Sequence, residues 1–345
     1  MADKTRLIAE DRLLELASRA LQSCGLAAQD AHDAARILVI ADLFGLGTHG
    51  VHRVISYGER LKNGGINARA KVRIERKSPS IVMVDGDNGV GTLVGTRALE
   101  AAMSAARETG VGIAFARSSN HFGPIASYAW IAAQQGFASI IASNASTTIA
   151  PSGGSDARLG NNPLGLCVPN PDGDPVMLDM AMSVVARAKI RRALDRGEAI
   201  PETWATDSAG RPTTDPRAAL AGFLQPMGGY KGYGLALMVD LFAGLLSGAG
   251  YLTHVKSWVD EPAAAQDLGH VFILIDTAKL GLPDLAARMA DFAAIVHGSP
   301  SVDPAAPVRL PGETEFARMV RQRGEGISID AGVLDFLEAM AARTT

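Results

Sequence analysis

The apolar positions of the first sixty residues recur at the three- and four-residue spacing of amphipathic helices. One stripe comprises Leu13, Leu14, Leu16, Ala17, Ala20 and Leu21. A second stripe follows the same period in the segment 30–44, DAHDAARILVIADLF. The pattern resumes at 54–61 after a glycine-containing interruption. The spacing predicts three helices within residues 9–62.

Further along, helical and strand patterns alternate. Helical spacing covers residues 92–108, 125–135, 183–196, 282–297 and 313–342, the last with a glycine-containing break. Strand patterns cover 72–85, as two short strands, and 111–116, 138–143, 166–169, 176–180 and 269–276. Residues 200–226 have the composition of a long polar loop. The strand, helix, strand succession between 111 and 143 is typical of α/β proteins, so we expect a mixed α/β fold.

Composition narrows the class of protein. At 345 residues with 47% hydrophobic and 20% charged residues, the chain can form two or three domains with ample core. A net charge of −3 gives no reason to expect nucleic acid or an anionic membrane as partner. The two cysteines, Cys24 and Cys167, fit neither a disulfide scaffold nor a zinc site. The charged N-terminus does not resemble a signal peptide. We therefore expect a cytoplasmic protein with reduced thiols.

The longest apolar stretch, residues 235–252, contains Asp240 and three glycines. These residues favour a buried helix with an exit turn over a membrane span. We expect this helix to start after Gly232.

The segment 45–53, GLGTHGVHR, contains the glycine pattern of a dinucleotide loop. That function would require a preceding strand and an acidic residue about 20 positions later. Neither is present, so the glycines predict a helix stop and a tight loop. His49 and Arg53 are four residues apart and would share one helix face. An arginine fork binds carboxylates, and a histidine transfers protons near neutral pH. The simpler alternative is a solvated Arg53 with a capping Thr48.

Two further clusters could bind anions. The first, SSNHFG at 118–123, ends a predicted strand and precedes a helix, where its amides and hydroxyls could hold phosphate. The second, GGYKGYG at 228–234, places four glycines around Lys231 before an apolar helix. The alternative for the first cluster is a polar turn with a capping asparagine, and the alternative for the second is a flexible turn with an exposed lysine. His49 and His52 lack a third ligand nearby, so we expect no metal.

Taken in order, the motifs resemble the second type of malate/L-lactate dehydrogenase family, over nearly the whole chain. This family includes ureidoglycolate, sulfolactate, diketogulonate and cyclic imino acid oxidoreductases. The resemblance is carried by THGVHR at 48–53, SSNHFGPIASYA at 118–129, PSGG at 151–154, GNNPLG at 160–165, LDMAMS at 178–183, GGYKGYGLALMVDL at 228–241 and LPGE at 310–313.

The resemblance implies a non-Rossmann NAD(P)-binding α/β fold with a helical domain built from both chain ends. The helical domain would comprise residues 1–75 and 310–345 and carry the His/Arg loop. Residues 76–309 would form the cofactor domain, with inserted loops. A homodimer with sites near the subunit interface is also implied.

The resemblance also assigns roles to residues. His49 would donate the proton, Arg53 would clamp the substrate carboxylate, and Thr48 would stand where the family commonly has a relay serine. His121 competes with His49 for the proton-transfer role. Asn161, at the position of a usual threonine, and Arg187, whose motif reads Arg-Ala-Lys instead of Arg-Gly-Lys, would contact substrate. Cofactor contacts would come from His121, Phe122, Gly123, Pro124, Asp179, Met180, Ala181, Lys231, Gly232, Pro311, Gly312 and Glu313.

We therefore expect an enzyme that interconverts a 2-oxo acid and a 2-hydroxy acid with NAD or NADP. Reduction of a cyclic imino acid, such as piperideine- or pyrroline-2-carboxylate, is an alternative within the same class. A non-catalytic sensor of a nucleotide or an acid is an alternative of another class. The joint presence of His49, Arg53, His121 and Lys231 argues against the sensor.

Overall fold

The computed structural model describes residues 5–303 and 305–343. Its strands are β1 (Thr5–Ile8), β2 (Arg73–Arg76), β3 (Ile81–Asp85), β4 (Val111–Ser119), β5 (Phe137–Ser143), β6 (Thr147–Ile149), β7 (Leu159–Gly160), β8 (Leu164–Val168), β9 (Val176–Met180), β10 (Leu268–Asp276) and β11 (Ile327–Asp330). Its α-helices are α1 (Glu10–Ser23), α2 (Ala28–Leu43), α3 (Arg53–Lys62), α4 (Gly91–Thr109), α5 (Ile125–Ala133), α6 (Arg187–Arg196), α7 (Pro216–Ala221), α8 (Tyr230–Val239), α9 (Leu285–His297), α10 (Glu313–Glu325) and α11 (Ala331–Ala341).

A seven-stranded sheet forms the centre, in the order β2-β3-β4-β10-β5-β8-β9. Only β3 and β4 run parallel, and every other neighbouring pair is antiparallel. The late strand β10 lies between β4 and β5, which explains why it is almost entirely apolar and buried. A Rossmann sheet is parallel throughout its nucleotide-binding half. The expectation of a mixed, non-Rossmann α/β fold is therefore confirmed.

Helices from both ends of the chain pack together beside this sheet. β1 pairs with β11 in an antiparallel ladder, and α1 packs against α2 and α11. One continuous apolar core runs from these helices through α4 and α5 to one face of the sheet. A second core lies on the opposite face. The chain ends thus share one helical layer, whereas the domain boundaries near residues 75 and 310 stay a prediction.

Several local predictions are wrong. The short strands β1 and β11 lie where only helix or loop was expected, and α7 interrupts the predicted polar loop. α6 starts at Arg187, four residues later than its predicted start. The prediction of a buried helix after Gly232 is wrong for the single chain. α8 starts at Tyr230 and continues as a π-helical turn over Asp240–Leu245, with one apolar face exposed to solvent.

Candidate active site

Asp42, a buried carboxylate in the last turn of α2, fixes the loop between α2 and α3. Its Oδ2 accepts a hydrogen bond of 2.7 Å from the amide of Val51. A Cβ on Gly50 would lie 1.9 Å from Oδ1 of Asp42, so only glycine permits this approach. Burial raises the pKa of Asp42 to about 7, and the Val51 amide partly opposes this rise. The sequence motif contained the loop residues but gave no role to Asp42.

His49 lies in a short 3-10 turn, Gly47–His49, at the top of this loop. Its Nδ1 lies 3.0 Å from the hydroxyl Oγ1 of Thr48. Burial, together with the positive charge of Arg53, lowers the pKa of His49 to about 4. The imidazole is therefore neutral at pH 7, and its Nε2 has no described hydrogen-bond partner among residues 5–303 and 305–343.

Arg53 is the first residue of α3, one helical turn beyond His49. Its Nε donates a hydrogen bond of 2.6 Å to the backbone carbonyl of Thr48. Burial lowers the pKa of the guanidinium, which is nevertheless charged at neutral pH. One edge of the planar fork is thus bound to the loop. Its two terminal nitrogens, which are without a protein acceptor in the described part of the chain, can bind a carboxylate.

His121 follows β4 and faces the same site from the sheet. The hydroxyl of Tyr57, on α3, lies 2.7 Å from Nδ1 of His121 and 3.0 Å from its carbonyl oxygen. Burial and the neighbouring charges of Arg53 and His49 lower the pKa of His121 well below its usual value. The imidazole rings of His121 and His49 stack with centroids 5.5 Å apart. The structure thus brings both candidate proton-transfer groups beside one guanidinium.

Two residues that sequence reasoning missed complete this cluster. The ring of Trp258 stacks on His121, and the guanidinium carbon of Arg53 lies 4.8 Å from the Trp258 ring centroid. Arg60, on α3 and only 2% exposed, donates hydrogen bonds to Asn120 and to the loop that carries Trp258. An arginine in the last turn of an amphipathic helix normally lies in solvent, so no local pattern marks its role.

The segment around Asp179 adjoins a cavity of about 230 Å³ that also contacts Pro311 and Gly312. The amide of Met177 donates to the carbonyl of Pro311 at 3.0 Å, which joins β9 to the start of α10. Asp179 accepts a hydrogen bond of 2.8 Å from the amide of Ala126, and burial raises its pKa to about 6. This amide end of α5 is therefore not free for the phosphate expected there. The predicted cofactor residues at 179 and 311–312 do lie together.

Other predicted residues gather at the start of α8. The amide of Met182 donates to the carbonyl of Asn161, and the amide of Met227 donates to the carbonyl of Met182, both at 2.8 Å. These bonds place Ala181 and Asn161 close to the segment before Lys231. No side chain caps the first turn of α8, and Lys231 is exposed beside its amides. A helix N-terminus with an adjacent lysine fits a phosphate group.

The remaining predicted residues have partners within the protein. Glu313 accepts a hydrogen bond from the Leu310 amide at 3.1 Å and pairs with His297 at 2.7 Å. Arg187 donates to the carbonyl of Leu220, and burial together with Arg191 lowers its pKa, whereas Asp260 opposes this. The ring of Phe122 is buried and stacks on His270 at 4.2 Å. The side chain of Phe122 is therefore not available to a ligand.

Two general features bear on the partner predictions. Among residues 5–303 and 305–343, no group of three or more acidic, histidine or cysteine side chains has the geometry to hold a metal ion. Within the same residues, no helix has both the length and the apolar character required to cross a bilayer.

Comparison with known proteins identifies the family. A profile of the malate/L-lactate dehydrogenase family matches residues 8–338. The chain belongs to this family. It is 35% identical to the malate dehydrogenase of Pyrococcus horikoshii, over 97% of this chain and 95% of that protein. It is 34% identical to the (2R)-3-sulfolactate dehydrogenase (NADP(+)) of Chromohalobacter salexigens, over 98% of both. The structure matches delta1-piperideine-2-carboxylate reductase of Pseudomonas syringae pvar. tomato with a TM-score of 0.89 at 29% identity, covering 97% and 100% of the two chains.

Membership confirms the resemblance drawn from the motifs, and with it the class of enzyme, an NAD(P)-dependent hydroxyacid dehydrogenase. The names of the relatives include both NAD(+) and NADP(+) enzymes, in agreement with the expected cofactor.

Proposed function

We propose that this family member reduces a 2-oxo acid to a 2-hydroxy acid, with Arg53 holding the carboxylate and His49 transferring the proton. The proposal rests on one observation. The neutral imidazoles of His49 and His121 lie beside the guanidinium of Arg53, which is bound to the loop along one edge only. A 2-oxo acid needs a cation for its carboxylate and a proton donor within reach of the adjacent carbonyl. Arg53 and His49 supply these groups one helical turn apart.

Thr48 gives His49 both protonation roles. For reduction, His49 takes up a proton from solvent, so that Nδ1 donates to the Thr48 hydroxyl while the Nε2 proton passes to the substrate oxygen and leaves a neutral ring. When Nδ1 donates to the hydroxyl, Nε2 is a free base that can accept the proton of a 2-hydroxy acid. The threonine hydroxyl performs the same exchange as a serine, and its contact of 3.0 Å supports the relay role.

NADH or NADPH, when bound, supplies the hydride for C2 of the substrate. The donor set of the chain fits such a group: the uncapped first turn of α8 with Lys231 suits phosphate, and the cavity beside Asp179, Pro311 and Gly312 offers a carboxylate for a hydroxyl group. Those residues would hold the cofactor, while Asn161 and Arg187 would contact substrate.

A panel of candidate substrates tests the proposal. We expect the purified protein to oxidise NADH or NADPH with at least one of pyruvate, oxaloacetate and phenylpyruvate. The loss of the absorbance of the reduced cofactor measures this reaction. Arg53→Ala should raise KM by roughly a hundredfold, because a charge-assisted bidentate contact is lost. Arg53→Lys keeps the charge but lacks the planar fork, so its KM should lie between those of the natural protein and Arg53→Ala. An unchanged KM in Arg53→Ala would remove the clamp assignment.

Reduction of a cyclic imino acid is the second candidate, favoured by the structural match to the piperideine-2-carboxylate reductase. Such a substrate arrives with its nitrogen already protonated, so His49 would matter less. Including piperideine-2-carboxylate in the panel separates the two candidates. If the protein turns over piperideine-2-carboxylate and none of the 2-oxo acids, and His49→Ala is fully active, the protein is an imino acid reductase and the 2-oxo acid proposal is wrong.

We also propose that the chain forms a homodimer through the apolar face of α8 and the following π-helical turn. This face exposes Leu235, Met238, Leu241, Phe242, Leu245 and Leu246 at helical spacing. The chain exposes 16238 Å², whereas a compact 36.0 kDa monomer exposes about 13,300 Å². The excess is larger than one partner's share of a standard interface, which supports a second copy as the occupant.

Light scattering after size exclusion tests the dimer. We expect twice the chain mass for the natural protein and a shift to the monomer mass for Leu245→Glu, because a buried charge opposes association. Val320→Glu, which changes an even more exposed apolar residue on α10, is the control. A monomeric natural protein would contradict the proposal.

The free thiols Cys24 and Cys167 support the further proposal of a cytoplasmic location.

A further inference from the structure

Trp258 contacts Arg53, the proposed carboxylate clamp, and His121, the second imidazole of the candidate site. Its ring lies 5.0 Å from His121, centroid to centroid, with an interplanar angle of 20°. The guanidinium carbon of Arg53 lies 4.8 Å from the same ring. These separations are those of direct stacking, so no substrate group fits between the rings. The face of the guanidinium that Trp258 covers is therefore closed to a ligand, whereas the edge with the two terminal nitrogens can bind a carboxylate.

Trp258 belongs to the loop 255–267, which leads into β10 and is held in register by Arg60. Nη2 of Arg60 donates to the carbonyl of Ala264 at 2.7 Å, and Nη1 donates to Oε1 of Gln266 at 3.1 Å. The same Gln266 oxygen accepts the amide of His121 at 3.2 Å. The loop that carries Trp258 is thus joined to the helix of Arg53 and to the segment of His121.

Gly65 makes the close approach of this loop possible. A Cβ at that position would lie 2.1 Å from the carbonyl oxygen of Pro262. Nε of Arg60 donates to the same Pro262 carbonyl at 3.3 Å, so the contact with Gly65 and the bonds from Arg60 both restrain the loop. This double restraint means that the indole occupies a defined place in the site.

We propose that Trp258 is a positioning and specificity-determining residue of the 2-oxo acid site. Its face fixes the plane of the Arg53 fork, and its edge limits the group carried on C3 of the substrate. The site consequently selects 2-oxo acids with a compact C3 group, such as pyruvate or 2-oxobutyrate, over phenylpyruvate. This inference rests on the proposed function of Arg53 and His49.

Substitution of Trp258 tests the proposal by the pattern of substrates. For Trp258→Ala we expect a KM for pyruvate raised roughly tenfold, because the cation–π contact that orders Arg53 is lost. We also expect the kcat/KM ratio of phenylpyruvate to pyruvate to rise by about tenfold or more. Trp258→Phe keeps an aromatic face and should restore KM for pyruvate to within about threefold.

Trp130→Ala is the matched control. Trp130 also lies beside an arginine, with the Arg323 guanidinium carbon 5.5 Å from its ring, but it packs on α5 against Phe44. We expect it to lower stability and to leave the ratio of substrates unchanged. If Trp258→Ala leaves both KM and the substrate ratio unchanged while the natural protein is active, the role of Trp258 is wrong.

Binding without turnover separates this inference from the proposed function. Oxalate, a carboxylate probe of the Arg53 fork, should quench the fluorescence of the natural protein, and Trp258→Phe should bind it without this quenching. A natural protein that neither binds oxalate nor reduces any acid of the panel would overturn the proposed function itself. Quenching retained in Trp258→Phe would overturn the placement of Trp258 at the carboxylate site.

Discussion

His121, in the loop after β4, and His270, on the neighbouring strand β10, are two imidazoles that differ in the use of their ring nitrogens. Both are kept neutral by burial, and the pKa of His270 is lowered to about 3. His270 has both nitrogens bound at 2.8 Å, Nδ1 by Ser143 and Nε2 by Ser119. His121 has a described partner, Tyr57, only at Nδ1. A lowered pKa therefore does not distinguish a reactive histidine from a structural one, whereas a free nitrogen beside a cation does.

The largest effect is expected where a free nitrogen is removed. His49→Ala should lower kcat by roughly 10²–10⁴, the usual contribution of a positioned acid or base. His121→Ala should lower kcat less, because the proposed function assigns the proton transfer to His49. Steady-state kinetics with the best substrate of the panel measures both. A larger loss in His121→Ala would transfer the proton-transfer role to His121.

Removal of the fully bonded imidazole should affect stability instead of turnover. His270→Ala leaves two buried serine hydroxyls without partners and opens a cavity under Phe122, a loss of about 3 kcal/mol in the free energy of unfolding. Urea denaturation measures this loss, and kcat should stay within about threefold. His32→Ala, an exposed position on α2, is the control and should be neutral. A hundredfold loss of kcat in His270→Ala would show that His270 is not a purely structural histidine.

The hydroxyl of Tyr57 can be removed without changing the ring. Tyr57→Phe leaves Nδ1 of His121 without its partner, so we expect a loss of about 1 kcal/mol in stability and a decrease in kcat of up to roughly tenfold. Tyr128→Phe removes a hydroxyl that donates to the backbone carbonyl of Phe122 and bonds no described imidazole nitrogen, and is the matched control. Equal decreases in kcat for both variants would show that Tyr57 acts only through stability.

The smallest effect is a shift in titration. Burial and the Arg53 charge both lower the pKa of His49, so its ring protons should titrate by NMR with a midpoint near pH 4. Arg53→Gln removes the second cause and should raise the midpoint towards the ordinary value, whereas Arg53→Lys should shift it less. The neutral base form is present above the midpoint, so kcat/KM for oxidation of a 2-hydroxy acid should fall only below about pH 4. A midpoint unchanged in Arg53→Gln would mean that burial alone sets the pKa.

The motifs allowed prediction of His49 and Arg53 as candidate reacting groups because these residues are close in sequence. The spacing of His49 and Arg53, and the glycines between the helices, carry the geometry of the loop within nine residues. Trp258 and Arg60 could not be predicted in this way, since their contacts join segments that no local pattern connects. The apolar face of α8 was misjudged for a related reason: an apolar stripe has the same appearance in sequence whether a core or a second chain covers it.

The bond between Arg60 and Gln266 spans 206 positions of the sequence. Contacts of such separation incur a large loop-closure cost and are expected late in folding. On the ribosome, the loop of Trp258 emerges only after more than three quarters of the chain has been synthesised. A nascent chain therefore carries His49 and Arg53 for many seconds, at about 5–20 residues per second, without a complete site. Activity in this enzyme should consequently arise as a late event of folding, and N-terminal fragments that contain both residues should be inert.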